Sequence, residues 1–140
     1  MAGFLRVLAV CHTVVIDVDK KGNEQMQASS PDELALVEGA ASIGVKFSKK
    51  TTEYIEIEVL GSGTERYEVL MEFPFDSTRK RMSLIVKDCT QGRYLLMTKG
   101  ADSIILPRCS ENSLQPQELS VVHKHLHYFA CQGYRTLVIA

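Results

Sequence analysis

The residues of this chain best suited to chemistry lie in Phe73-Pro74-Phe75-Asp76-Ser77-Thr78-Arg79-Lys80-Arg81-Met82-Ser83. Two aromatic rings and three consecutive cations run straight into the apolar Leu84-Ile85-Val86. A ring with cations beside it suits a nucleotide: the base stacks on the aromatic face and the charges meet the phosphates. The plainer reading is a charged connection with Phe75 tucked into the core. These residues alone favour the plainer reading.

Other positions fit the same chemistry. Lys99 precedes Gly100, and a glycine there lets a ligand approach the backbone closely. Arg135 follows Gly133-Tyr134 and could meet phosphate; taken singly it reads as half of a salt bridge, and Lys99 as a solvated hairpin lysine. Asp32 and Glu33 open a helix and could meet a ligand amine. The alternative for Glu33 is that it only caps its own helix.

Competing chemistries are less well supported. His123 and His127 share a helix face, but Lys124 stands where H-E-x-x-H needs glutamate, and a lysine between ligands opposes a bound cation. Ser77 and Ser83 lack a visible base, and no G-x-S-x-G elbow exists. There is no G-x-x-x-x-G-K-[ST] cradle, so a nucleotide would be held by a ring and separate cations such as Phe75, Lys80, Lys99 and Arg135. Gly61-x-Gly63 lacks a third glycine and reads as a turn. Cys11, Cys89, Cys109 and Cys131 are irregularly spaced, which suits reduced thiols in a cytosolic protein.

The 140 residues fit one domain, 1–140, with a real core. A net charge of −1 gives no bulk attraction to nucleic acid or anionic lipid, so any anion site is local. No apolar run reaches the length of a membrane span, and no signal-peptide pattern is present.

The elements that must position these residues follow from local pattern. Phe4–Cys11 is apolar and undecided between helix and strand; His12–Asp19 reads as strand-like and Lys20–Asn23 as a turn. Ser30, Pro31 and Glu33 form a capping box with proline at the first helical position. Leu34, Val37, Ala40 and Ala41 follow at helical spacing, with Gly44 as the stop. From Val45 the period becomes two, giving strands over Tyr54–Leu60 and Arg66–Phe73. Pro74 should end or bulge the second. Met82–Lys87 and Tyr94–Thr98 form a hairpin, with Lys99–Asp102 at its end. Ser103–Leu106 predicts a short helix closed by Pro107, Ser110–Gln115 a polar loop, and Pro116–Gln132 an amphipathic helix with Leu119, Val122, Leu126 and Phe129 on one face. Tyr134–Ala140 reads as a last strand, and an apolar end suggests a piece of a longer chain. The order predicts an α+β fold, a twisted antiparallel sheet packed against helices.

Five segments carry a resemblance to a family. Cys11-His12-Thr13-Val14, Ser29-Ser30-Pro31-Asp32-Glu33-x-Ala35-Leu36-Val37, Phe75-Asp76-Ser77-x-Arg79-Lys80-Arg81-Met82-Ser83, Lys99-Gly100-Ala101-Asp102 and Gly133-x-Arg135-Thr136-Leu137 occur in that order. The set resembles the nucleotide-binding domain of P-type ATPases, specifically the P4 group of phospholipid flippases. Tyr134 replaces the usual leucine. The resemblance covers nearly the whole chain, and S-S-P-D-E separates the flippase group from ion pumps.

The resemblance implies that Phe75 stacks on adenine, Glu33 faces the adenine amino edge, Lys99 lines the pocket with Gly100, and Arg135 reaches the phosphates. Ser77 and Lys80 become secondary contacts. The phosphorylation motif D-K-T-G-T and the residues that would hold Mg²⁺ are absent, so no residue here is expected to be catalytic. The implied partners are ATP, a phosphorylation domain of the same chain, a phospholipid substrate and an auxiliary membrane subunit. The implied location is the cytosolic face of a membrane. The alternatives are the equivalent domain of an ion-transporting P-type ATPase, and a non-catalytic interaction domain with a degenerate pocket.

Overall fold

A computed structural model describes residues 2–18, 22, 24–110 and 115–140. A six-stranded antiparallel sheet in strict sequential order holds most of the chain: β3 (Val45–Lys50), β4 (Tyr54–Val59), β5 (Gly63–Asp76), β6 (Arg81–Asp88), β7 (Arg93–Gly100) and β8 (Val138–Ile139). A small hairpin, β1 (Val15–Val18) and β2 (Glu24–Gln27), forms a separate two-stranded sheet whose Ile16 and Met26 pack against the core. The helices are α1 (Ala2–Val10), α2 (Pro31–Ser42), α3 (Asp102–Ile105) and α4 (Pro116–Cys131), with a 3-10 turn over Leu106–Arg108. The architecture is the α+β arrangement that the element order predicts.

The core lies on one face of the sheet. Alternation along the strands turns Phe47, Ile55, Ile57, Tyr67, Met82, Leu84 and Val86 inward, where they meet Leu5, Leu8 and Ala9 of α1 and Val37 and Ala40 of α2. Each large apolar side chain buried this way stabilises the fold by roughly 1.5–3 kcal/mol. Arg6 of α1 forms a bidentate pair with Glu65, whose carboxylate also accepts from Tyr67, and this fixes α1 over β5.

Several sequence expectations change. Phe4–Cys11 resolves to helix through Val10, the predicted strand His12–Asp19 shortens to β1, and the predicted last strand shrinks to two residues. The short helix begins at Asp102, and Pro107 lies inside the 3-10 turn that follows. The α4 face is only partly covered: Leu119, Val122 and Leu126 are half-buried and Phe129 is exposed. The predicted turn at Lys20–Asn23, apart from Gly22, and most of the polar loop Ser110–Gln115 lie outside the described residues.

Pro74 does not end its strand. β5 continues to Asp76, but its register against β6 shifts between Phe73 and Asp76, where the missing proline N–H costs no ladder bond. The irregularity re-aims the side chains. Phe73 and Phe75, two positions apart, line clefts on opposite faces of the sheet. The connection to β6 is then pinned by Asp76, which accepts from the Thr78 and Arg79 backbone amides at 2.8 and 2.9 Å. Lys80 closes it in the left-handed conformation, φ 52°.

Candidate functional site

A cleft of about 880 Å³ opens where the N-terminus of α2, the β5–β6 connection and the end of β7 converge. Thr13, Ser29, Ser30, Asp32, Glu33 and Leu36 line one side, Pro74, Phe75, Lys80 and Met82 the second, and Lys99, Gly100, Ala101, Thr136 and Leu137 the third. Each wall has a local cause. Ser30 caps α2 by accepting from the Glu33 amide at 3.2 Å, with Pro31 opening the helix.

Glu33 does not complete the capping box. Its carboxylate turns into the cleft instead, where Oε1 accepts from Lys99 Nζ at 2.9 Å and Oε2 from Thr13 Oγ1 at 2.5 Å and Ser29 Oγ at 2.9 Å. The capping explanation for Glu33 is therefore wrong, because its charge is used across the fold rather than on its own helix. Burial by itself would push this carboxyl up. The Thr13 hydrogen bond, the Lys99 hydrogen bond and charge, and the Ser29 hydrogen bond outweigh burial and hold the pKa near 2, so Glu33 is a carboxylate at neutral pH.

Lys99 is not a solvated lysine. It is 8% exposed and tied to Glu33, because the β7 alternation that sends Met97 into the core sends Lys99 to the same face. Gly100 is required for a different approach from the one the sequence suggests. A Cβ there would lie 2.6 Å from both the Lys80 carbonyl oxygen and Arg81 Cβ, so the neighbouring strand, rather than a ligand, excludes a side chain.

Phe75 is 65% exposed, so it is not a core ring. It presents a bare aromatic surface to the same cleft as Lys80 and Lys99. Arg135 does not itself line the cleft; it is held at the mouth by an ion pair with Asp32, which does, and both side chains are largely exposed. Ser77 is exposed and does not line the cleft. Thr13, Ser29 and Met82, to which the sequence assigns no role beyond their places in the family motifs, also line it.

The cleft can thus offer a stacking surface, cations at its wall and mouth, and a buried carboxylate with unused acceptor capacity on Oε1. Among the described residues no three His, Cys, Asp or Glu side chains gather to hold a metal ion, and no helix is long and apolar enough to cross a membrane.

Comparison with known proteins gives the cleft a context. The family described as P-type ATPase, cytoplasmic domain N, matches residues 1–140. The chain is 44% identical over 138 residues to a phospholipid-transporting ATPase of Schizosaccharomyces pombe, covering 98% of this chain and 11% of that protein. It is 44% identical over 141 residues to probable phospholipid-transporting ATPase 7 of Arabidopsis thaliana, covering 98% and 11%. It is 44% identical over 133 residues to the phospholipid-transporting ATPase tat-1 of Caenorhabditis elegans, covering 95% and 12%. The chain therefore spans about a tenth of the length of these relatives.

Proposed function

The chain belongs to the P-type ATPase cytoplasmic domain N family, and from that premise we propose that it is the ATP-binding domain of a phospholipid-transporting ATPase. The observation that carries the reading is the exposed Phe75 ring sharing one cleft with Lys80 and the buried Lys99–Glu33 pair. Adenine stacks on Phe75, and its amino group donates to the remaining lone pair of Glu33 Oε1. Lys80 and Lys99 supply positive charge along the ligand. Arg135 reaches the outer phosphates by leaving Asp32, a step that costs little because an exposed pair contributes only about 0–1 kcal/mol.

In this reading the domain carries ATP to an aspartate in another domain of the same protein, and the phosphorylation that follows drives phospholipid movement. The names of the relatives support the lipid substrate. Mg²⁺ arrives with the nucleotide. Glu33 is committed to Lys99, and the reading gives this chain no resident metal. It places the domain on the cytosolic side of a membrane, with an auxiliary subunit as a further partner of the whole protein.

One aromatic stack contributes roughly 1–3 kcal/mol, and millimolar affinity needs about 4 kcal/mol in total. Titration of the 140-residue chain with ATP, followed by amide NMR, should shift signals at Phe75, Lys80 and Lys99 without phosphate release. Absence of shifts at about 5 mM ATP, where a millimolar site is mostly filled, would overturn the reading.

A further inference from the structure

The three consecutive cations do not act together. Lys80 lines the cleft described above, whereas Arg79 and Arg81 line a second cleft, of about 440 Å³, on the opposite face of the sheet. Strand alternation puts it there: Arg81 and Ser83 of β6 and Leu96 and Thr98 of β7 point away from the core. Arg108, from the 3-10 turn, adds a third guanidinium.

Each guanidinium is held in place by a neutral acceptor. Arg79 donates to Ser83 Oγ at 3.3 Å and lies over the Phe73 ring at 5.3 Å. Arg81 donates to the Arg79 carbonyl at 3.2 Å, and Arg108 to the Ile104 carbonyl at 2.7 Å. None of the three is paired with a carboxylate among the described residues. The other arginines, Arg6, Arg66, Arg93 and Arg135, each have one. Desolvation and the charges of Arg108 and Arg79 lower the pKa of Arg81, the mark of like charges gathered without a counterion. Beside them lie two hydroxyls, Thr98 Oγ1 donating to Ser83 Oγ at 3.1 Å, and an apolar floor that includes Ile85 and the 64% exposed Leu96.

We infer that this second cleft is a docking site for a phosphorylated peptide segment, with Arg79, Arg81 and Arg108 holding the phosphoryl group and the apolar floor holding the side chain next to it. Guanidinium forks match phosphate oxygens in pairs, and three of them suit a dianion better than a single carboxylate. The cleft is larger than a bare phosphate needs, and its second half is apolar. A bilayer fits it poorly. Phosphates in a membrane plane are met by protruding cations, whereas Arg79 and Arg81 are half-buried and Arg79 lies against Phe73. The site is independent of the nucleotide reading, since it lies on the other face of the sheet.

The test uses the 140-residue chain immobilised against a degenerate peptide library with a fixed central phosphoserine, and the same library with serine. The phosphorylated library should be retained at least about tenfold better, with leucine, isoleucine or phenylalanine enriched beside the phosphoserine. Arg81→Gln and Arg108→Gln, each confirmed folded by circular dichroism, should each lower retention about tenfold or more. Lys80→Gln, which removes the neighbouring charge on the other face, should leave it unchanged. Equal retention of the two libraries would overturn the inference. So would a loss in Lys80→Gln as large as in Arg81→Gln, or binding to phosphatidylserine vesicles that the phosphorylated library does not compete away.

Discussion

Lys99 Nζ and Glu33 Oε1, contributed by residues 66 positions apart, meet at 2.9 Å with each side chain only 9% exposed. The pair joins the first turn of α2 to the end of β7 and forms the base of the cleft. It connects the helical layer to the sheet beneath the cleft. Both Glu33 oxygens are hydrogen-bonded, which a buried carboxylate requires if its desolvation is to be offset.

Breaking one side of this pair should cost more than removing both. Glu33→Gln leaves Lys99 buried without a counterion and is expected to lower stability by about 3–5 kcal/mol. The double variant Glu33→Gln/Lys99→Gln should be more stable than Glu33→Gln. Urea denaturation of the three proteins measures this. A double variant less stable than the single one would show that the pair is not coupled as described.

Acid should destabilise the domain in two windows. His12 is fully buried; burial above all, with the charges of Lys50 and Lys99, outweighs the hydrogen bond to the Ala9 carbonyl and lowers its pKa from 6.5 to about 4. The unfolded chain takes up this proton first, so His12 contributes stability above pH 6.5 that is lost as pH falls toward about 4. Glu33, lowered from 4.5 to about 2, contributes stability above pH 4.5 that is lost as pH falls toward about 2. Each loss amounts to about 3 kcal/mol. Stability followed by urea denaturation at successive pH values should flatten in the upper window for His12→Gln and in the lower window for Glu33→Gln. An unchanged slope in either variant would contradict the assignment.

Much of the fold was legible because it rests on local pattern. The Ser30–Pro31 start of α2, the alternation of β4 and the turn at Gly61-Ser62-Gly63 all appear where short-range chemistry requires them. The site was less legible because its geometry is non-local. Phe73 and Phe75 share a strand face by simple alternation, and only the register shift at Pro74 separates them. The Glu33 carboxylate looked sufficient as a cap because nothing near it in sequence announces Lys99 or Thr13. Arg108 joins Arg79 and Arg81 only after the 3-10 turn folds beside the sheet.

Asp32 should restrain Arg135 at the cleft mouth. Their pair is solvent-exposed, so it holds the arginine weakly and competes with an arriving phosphate. Asp32→Asn is therefore expected to tighten ATP binding by up to about fivefold, equivalent to about 1 kcal/mol, and AMP binding less, since AMP lacks the outer phosphates. Arg135→Ala should weaken ATP and leave AMP nearly unchanged. Isothermal titration with both nucleotides checks each variant; equal losses of ATP and AMP in Arg135→Ala would move the phosphate contact to Lys80.

The most direct measurement is ATP affinity and melting temperature of Phe75→Ala together. Phe75 is 65% exposed, so its truncation removes little packing and should change stability by no more than about 0.5 kcal/mol. If the ring is the adenine platform, the same variant should lose about tenfold in affinity for ATP and about as much for AMP, since both carry the base. A variant that melts with the wild type and binds ATP with the wild-type affinity would contradict the account.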